Sequence, residues 1–530
     1  MFNQDLTRRA FVGAMAVIGA AASEEWIELF DGRSLNGWRP SENKASWKIV
    51  DGMLAADGPR SHLFYTGPVH GADFRNFELE AELITKPECN SGIYFHTRYQ
   101  ESGFPEKGFE IQVNNTARGD GGYLERKKTA SLYGLRNMYK QLVPDEKPFQ
   151  IRASVRGKNV QIRLNGQLLV DYLEPTPPVI PAGGEKERFL DHGTFALQCH
   201  NDGSKAFYRS VRVRPLPDDL PAYTAPAPVV DEVYRAVIDI GRHNVPMVDY
   251  HVFLRPGMTL DDVLRKSRKD GIQYGITAET SAMKSDADAE RWLRPLIGKP
   301  VFFALSSGNG EWTRALSRKT AQQFDYILAD GRTWQGAPPI ADRQAFIDRL
   351  VEQTVKRLDA EPIDIYTHPT RLPAAMEAAA DDLWTQSRMT RLIDALLRNK
   401  VAIELNTLEQ LPKQNFIQQA RDAGCKFTFG TANRSAAELK RCEYGLQMVE
   451  ACKLDWRNFF APGSWWPKAV ERRWPSAVLT PAASIASFKN PAVMDVLPRH
   501  RSKTSVNLVP KRGLRFVSEK TSETGANREV

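Results

Sequence analysis

The chain has 530 residues, 42% hydrophobic and 26% charged, ordinary globular values that exclude a collagen-like, coiled-coil or wholly disordered chain and also a single small module. The formal net charge is +8, but residues 499–530 alone hold eight Lys or Arg against three Glu. That stretch lacks the interleaved aromatics of a nucleic-acid reader, so no nucleic-acid partner is expected.

At the start, Thr7-Arg8-Arg9-Ala10-Phe11-Val12 precedes a Gly/Ala-rich apolar run ending at Ala22. The run is too short to cross a bilayer core of about 30 Å, and its small residues suit cleavage before Ser23. Residues 1–22 resemble a twin-arginine export signal, which implies a periplasmic or secreted mature protein. No later segment reaches the roughly 18 apolar residues of a membrane span, so no transmembrane segment is expected. The five cysteines are odd in number, scattered and without paired metal-ligand spacing, which argues against a disulfide framework and a zinc site.

Residues 24–217 read as all-β. Phe77, Leu79, Ala81 and Leu83 alternate with Glu78, Glu80 and Glu82, which places apolar and charged side chains on opposite faces of a sheet. Ile151, Ala153 and Val155 do the same before Gly157-Lys158, and Val160, Ile162 and Leu164 follow it as the second arm of a hairpin. Asn165-Gly166 is another tight turn. Trp38 and Trp47 read as core or sheet-edge anchors. Many antiparallel strands without helices between them predict a sandwich or jelly roll.

Residues 218–231, within PLPDDLPAYTAPAPVV, read as a Pro-rich linker. Over residues 232–475 helix and strand alternate. TLDDVLRKSRKDG gives a helix ending at Gly271, IQYGITAE a strand, and VFFAL, DYILA, IDIYTH, VAIELNT and KFTFG further strands between helical stretches. Parallel βα units and a barrel are expected. Residues 476–530 read as a basic, partly disordered tail.

Alternation also assigns the chemistry of the first domain. In SGIYFHTRY, Ile93 and Phe95 oppose Tyr94, His96 and Arg98; in GFEIQVNN, Phe109, Ile111 and Val113 oppose Glu110, Gln112 and Asn114; in TFALQCHN, Phe195, Leu197 and Cys199 oppose Gln198 and His200. A solvated polar sheet face gives the same pattern, and on pattern alone that reading has the advantage. FDGRSLNGWR, NFELEAEL, SGIYFHTR, GFEIQVNN, SLYGL, IRLNGQLLVDY and GTFALQCHNDGSKAFYRSVRVRPL, in this order, resemble the 3-keto-disaccharide hydrolase domain family over residues 28–216. The resemblance implies a concanavalin-like jelly roll sandwich acting on a 3-keto-sugar or glycoside. His96 stands where that family often has arginine, and Asn114 where it often has aspartate.

A ketone at C3 acidifies the C2 proton, so one base removes it and the C1 substituent leaves by elimination. Hydrolysis of an unmodified glycoside instead needs two carboxyl groups. The expected roles are Glu110 or His96 as general base, Arg98 with Gln112 as enolate stabiliser, and His200 and Gln198 as sugar-orienting or proton-donating groups. Tyr94, Asn114 and Tyr133 complete the substrate contacts. One divalent ion is an alternative electrophile to Arg98. A carbohydrate-binding module that grips sugar without cleaving it is the competing reading.

DYHVFLRPGMTLDDVLRKSRKDGIQYGITAE, IDIYTHPTRLP, VAIELNT and KFTFGTANR resemble the PHP (polymerase and histidinol phosphatase) family over residues 245–455, which implies a distorted α/β barrel with a multinuclear metal site. The positions that match its ligands are His251, Glu279, His368 and Glu404. Phe253 and Arg434 stand where further ligands belong, and neither binds metal. A degenerate, non-catalytic barrel is therefore expected, with a metal phosphoesterase as the alternative.

Overall fold

The computed structural model describes residues 25–119, 122–180, 187–220, 226–308, 312–332 and 342–474. The expected export signal and basic tail lie outside the described residues. Two compact units divide the chain, Met1–Ser476 and Ala477–Val530, and everything below concerns the first.

Two antiparallel sheets form the N-terminal sandwich. One runs through the strands Gln167–Leu173, Asn159–Leu164, Phe149–Arg156, Asn76–Thr85, Lys205–Leu216, Met53–Asp57 and Trp47–Val50, with Ile27–Glu28 paired alongside Lys205–Leu216. The other orders Trp38–Pro40, Ser61–Tyr65, Thr194–Cys199, Ser91–Thr97 and Phe109–Val113. The predicted hairpin closes with Ile162 opposite Ala153, and Asn165 and Gly166 both take the positive φ of a primed turn.

The predicted alternation decides what lies between the sheets. Phe77, Leu79, Ala81 and Leu83 are buried in the core, while their neighbours form an ion-pair ladder on the outer face. Glu80 accepts from Arg152 at 2.5 and 2.7 Å and from Arg212, Glu78 pairs with Arg214, and Glu82 pairs with Arg209. Trp26 lies under three of these guanidinium groups, 4.9–5.3 Å from its ring centre. Both predicted anchor tryptophans are core residues: Trp38 donates to the Leu29 carbonyl at 2.6 Å and Trp47 to Ser61 Oγ at 2.9 Å.

The C-terminal part is a closed barrel of seven strands, Val248–Val252, Gln273–Glu279, Phe302–Ser306, Tyr326–Asp330, Ile365–Thr367, Ala402–Asn406 and Phe427–Gly430. Each pair around it is parallel. The helix Leu260–Asp270 shows how local the signals are: Thr259 and Asp262 make a reciprocal capping box, and Gly271 ends the helix at φ 72°. Among the described residues no helix is long and apolar enough to cross a membrane. All five cysteines are buried and free.

Sandwich and barrel are joined by a long segment of the sandwich, described over residues 122–140. Arg126 donates to the carbonyls of Trp456 at 2.8 Å and Phe459 at 2.7 Å. Tyr139 takes Gln273 Oε1 on its N–H at 2.5 Å, and Lys140 Nζ reaches Asp325 Oδ2 at 2.5 Å. Asn137 Nδ2 donates to the Gly241 carbonyl at 3.3 Å.

Candidate functional site

The five-stranded sheet has one face in the core and the other under a cavity of about 460 Å³. Ile93, Phe95, Phe109, Ile111, Phe195 and Leu197 fill the core side, so Tyr94, Glu110, Gln112 and Gln198 must project from the other, and all four line the cavity with His200. Registry brings them together: Tyr94 sits opposite Glu110 on one side and Ala196 on the other. Gln198 Nε2 donates to Tyr94 Oη at 3.1 Å. A Cβ on Gly92 would stand 2.5 Å from Glu110 Oε1, so the glycine makes room for the carboxylate to lie across the neighbouring strand. Gln112 Oε1 and Gln198 Oε1 are buried without a hydrogen-bond partner, and buried acceptors of this kind are ordinarily satisfied.

A wall from residues 122–136 closes the cavity, and sequence reasoning missed most of it. Tyr133 was expected; Tyr123, Glu125, Arg188 and Arg242 also line the space. Glu125 is held by three groups: Tyr133 Oη donates to Oε2 at 3.0 Å, the Lys127 N–H to Oε1 at 2.8 Å, and Tyr123 Oη lies 3.4 Å from Oε2. Lys127 is fully buried, its ammonium 3.6 Å from Glu125 and 3.4 Å from Tyr133 Oη. Burial pushes the Lys127 ammonium down, and pushes the Tyr133 phenol well up with help from Glu125. Tyr133 is therefore a protonated donor at neutral pH. Glu125-Arg126-Lys127-Lys128 has the composition of a solvated charge run, and no periodicity in it announces burial.

Three expected site residues lie elsewhere. His96 takes φ 54° at a break in register between Ser91–Thr97 and Thr194–Cys199, which removes it from the Tyr94 face. Its ring is buried beside Phe77 and Phe95, with Nε2 2.9 Å from the Arg75 carbonyl and Nδ1 accepting from the Asp191 N–H at 3.3 Å. Arg98 lies past the strand end, exposed and paired with Glu187 through two 2.6 Å bonds. Asn114 is buried outside the cavity, its Oδ1 3.3 Å from Lys128 Nζ. The structure thus separates His96, expected as base, Arg98, expected as enolate stabiliser, and Asn114, expected as a substrate contact, from the residues that line the cavity. Arg98→Ala is expected to leave turnover within about twofold of wild type and to shift stability by less than about 1 kcal/mol, since exposed ion pairs contribute little; steady-state kinetics and thermal melting check it.

Two buried histidines make the sandwich sensitive to acid. Burial brings His62 down to about 3 and His96 down to about 4 from an ordinary value of 6.5. A histidine held neutral stabilises the fold fully above its unfolded value, and that contribution fades as pH falls from 6.5 through the folded values. Between pH 6.5 and 4 the fold should lose on the order of 3 kcal/mol or more. Melting curves across that range check this, and His62→Gln should flatten the profile.

At the C-terminal ends of the barrel strands a second cavity, about 580 Å³, is lined by Phe253, Arg255, Glu279, Asp330, Arg332, His368, Arg371 and Arg434. Of the four positions matching metal ligands, His251, His368 and Glu404 converge, with ligand atoms within 4.8 Å of one another. Glu279 stays at the rim, 3.4 Å from Arg255. Inside the cluster the donors face each other. Glu404 Oε1 lies 2.7 Å from His251 Nδ1, while Oε2 accepts from the His368 N–H at 2.8 Å and from Asn406 Nδ2 at 3.2 Å. Asp330, which sequence reasoning missed, lies 3.2 Å from His368 Nδ1 and is bonded by Arg332.

Burial pushes Glu404 up, but the neighbouring His251 and His368 outweigh it and bring the carboxyl to about 2. Burial opposes a charged His368, yet Asp330 and Glu404 raise it above its ordinary value. This donor set satisfies itself and has arginines at its border. It does not fit a multinuclear metal centre.

Residues 25–214 match the family model of the 3-keto-alpha-glucoside-1,2-lyase-like domain. A 3-keto-disaccharide hydrolase of Bacteroides thetaiotaomicron is 31% identical over 80 residues, 14% of this chain and 28% of that protein's length. A structure named as a candidate glycosyl hydrolase of Parabacteroides distasonis is 20% identical and covers 36% of this chain and 94% of its own, with a TM-score of 0.31. The carbohydrate-binding module CBM66 of Bacillus subtilis is 13% identical over 34% of this chain and 95% of its own, with a TM-score of 0.23. The similarity to this family covers the N-terminal sandwich.

Proposed function

We propose that the sandwich cavity cleaves 3-keto-glycosides by elimination, with Glu110 as the base. The observation that carries this reading is the placement of the Glu110 carboxylate in a cavity of hydroxyl- and amide-bearing side chains, on a sheet face shared with Tyr94, Gln198 and, opposite Gln198, His62. Glu110 takes the proton from C2, and the C–H electrons pass into the C2–C3 bond as charge moves onto the C3 oxygen. The Gln112 amide is the donor assigned to that oxygen, while the Tyr133 hydroxyl is spent on Glu125. The enolate then collapses to restore the C3 ketone, a C1–C2 double bond forms, and the glycosidic oxygen leaves with a proton from the His200 side of the cavity. Addition of water to the unsaturated product would complete a hydrolysis.

Glu125 is a second carboxylate in the cavity wall, but its oxygens are taken up by Tyr133, Tyr123 and the Lys127 N–H. Glu88, the other carboxylate that lines the cavity, accepts from the Arg118 N–H at 3.2 Å, and we take these engagements to favour a single-base mechanism over the two-carboxyl route. The barrel is read as a degenerate PHP-like domain without phosphoesterase activity.

The test is incubation of the full chain with a panel of 3-keto-disaccharides and their unoxidised parents, with and without chelator, followed by product identification. A 1,2-unsaturated 3-keto sugar or its hydrate from the keto substrates alone is the expected result. Cleavage of the parents would point to two-carboxyl hydrolysis. Binding without product would make the sandwich a carbohydrate-binding module, and loss of turnover with chelator would bring in the divalent ion.

A further inference from the structure

The wall of the sandwich cavity is not built by the sandwich alone. Arg242, the last residue of the helix Glu232–Arg242, belongs to the barrel side of the chain, yet it lines the cavity with Glu110 and Tyr133. At Gly134 a Cβ would lie 3.7 Å from Arg242 Cγ and 3.9 Å from Arg188 Nη1, so the stem of Arg242 and the guanidinium of Arg188 approach the same glycine. Gly134 has φ 78°, a conformation that favours glycine, and the lack of a side chain there leaves room for the Arg242 stem.

Two residues further on, Asn244 fixes the same wall from the barrel side. Its Nδ2 donates to the Leu124 carbonyl, and its Oδ1 accepts from the Arg126 N–H at 3.2 Å and lies 3.4 Å from Lys127 Nζ. Asn244 is fully buried and holds φ 66°, a conformation asparagine tolerates better than most residues. Its amide therefore spends every bond it makes on the stretch that carries Glu125 and Lys127 into the cavity wall.

We propose that the glycoside site is composite: the barrel supplies Arg242 as a substrate-contacting residue, and Asn244 as the positioning residue for the wall. This rests on the reading that the cavity takes a glycoside. It gives the barrel a function that needs no chemistry at its own mouth. Arg242 contributes to substrate and transition state alike, whereas Asn244 acts through the placement of Glu125, Lys127 and Tyr133.

The experiment compares full-length wild type with Arg242→Ala, Arg242→Lys, Asn244→Ala and Arg371→Ala. KM and kcat are measured on a 3-keto-disaccharide, and calorimetric affinity on its unoxidised parent. Arg242→Ala should raise KM and weaken parent binding by about tenfold to a hundredfold, the range for a lost charge-assisted hydrogen bond, with kcat within about threefold. Arg242→Lys should recover part of the loss. Asn244→Ala should lower kcat and speed hydrogen exchange over residues 122–127. Arg371→Ala, at the barrel mouth, should change neither parameter.

Unchanged KM and affinity in Arg242→Ala overturns the proposal, as does an equal loss in Arg371→Ala, which would mark a general effect of damaging the barrel. If wild type binds the parent but does not turn over the keto sugar, the elimination reading falls and the affinity arms still decide the composite site. If wild type binds neither sugar, both readings fall.

Discussion

Glu110→Gln should lower turnover of a 3-keto-glycoside by about a thousandfold while leaving the fold intact, because removing a positioned general base costs between about a hundredfold and ten-thousandfold. The substitution keeps the size of the side chain and its place across Gly92, so binding should change far less than kcat. The expected pattern is a fall in kcat and kcat/KM together with KM near wild type, the signature of an interaction used in the transition state. The same variant should still bind the unoxidised parent sugar. If Glu110→Gln turns over as fast as wild type, the base lies elsewhere and Glu110 is a sugar-orienting acceptor. Loss of binding together with loss of turnover would assign Glu110 to substrate recognition.

The second large effect belongs to the barrel and concerns stability. Glu404 is buried and accepts from His368 N–H and Asn406 Nδ2 while facing His251 Nδ1. Truncation to alanine strips three donors of one acceptor group and leaves two imidazoles beside each other, their ring centres 5.4 Å apart. Removing one partner of a buried charged pair costs about 3–5 kcal/mol, most of it from the groups left behind. Glu404→Ala should therefore lower the denaturation midpoint strongly, and Glu404→Gln should recover part of the loss. The control is Glu279→Ala at the rim, where one exposed ion pair is lost and the change should stay below about 1 kcal/mol. Equal stability of Glu404→Ala and wild type would remove the structural role of the cluster.

The strands were legible because their information is local. A period of two, a tight turn at Asn165-Gly166 and the capping signals around Thr259 and Gly271 depend on residues a few positions apart, and each appears where the sequence places it. The polar face that carries Tyr94, Glu110, Gln112 and Gln198 was legible for the same reason. His96 was not, because one residue with positive φ reverses the alternation after Tyr94, and nothing in SGIYFHTRY marks the irregularity. The wall was illegible for a different reason. Lys127 has the composition of a surface residue, and its burial comes from Asn244, 117 positions away. The same holds for Arg126, two of whose acceptors lie more than 300 positions along the chain. Asp330 joined His368 only once adjacent strands of the barrel were set side by side.

The five free cysteines bear on how the chain meets an oxidant. Burial pushes the Cys199 thiol up to about 11 and the Cys425 thiol up to about 12, and raises those of Cys89, Cys442 and Cys452 as well. Thiol exchange proceeds through the thiolate, so the native protein offers almost nothing for an oxidant to attack. A newly made, unstructured polypeptide has no such shield: five ordinary sulfhydryls would be open to scrambled cross-links.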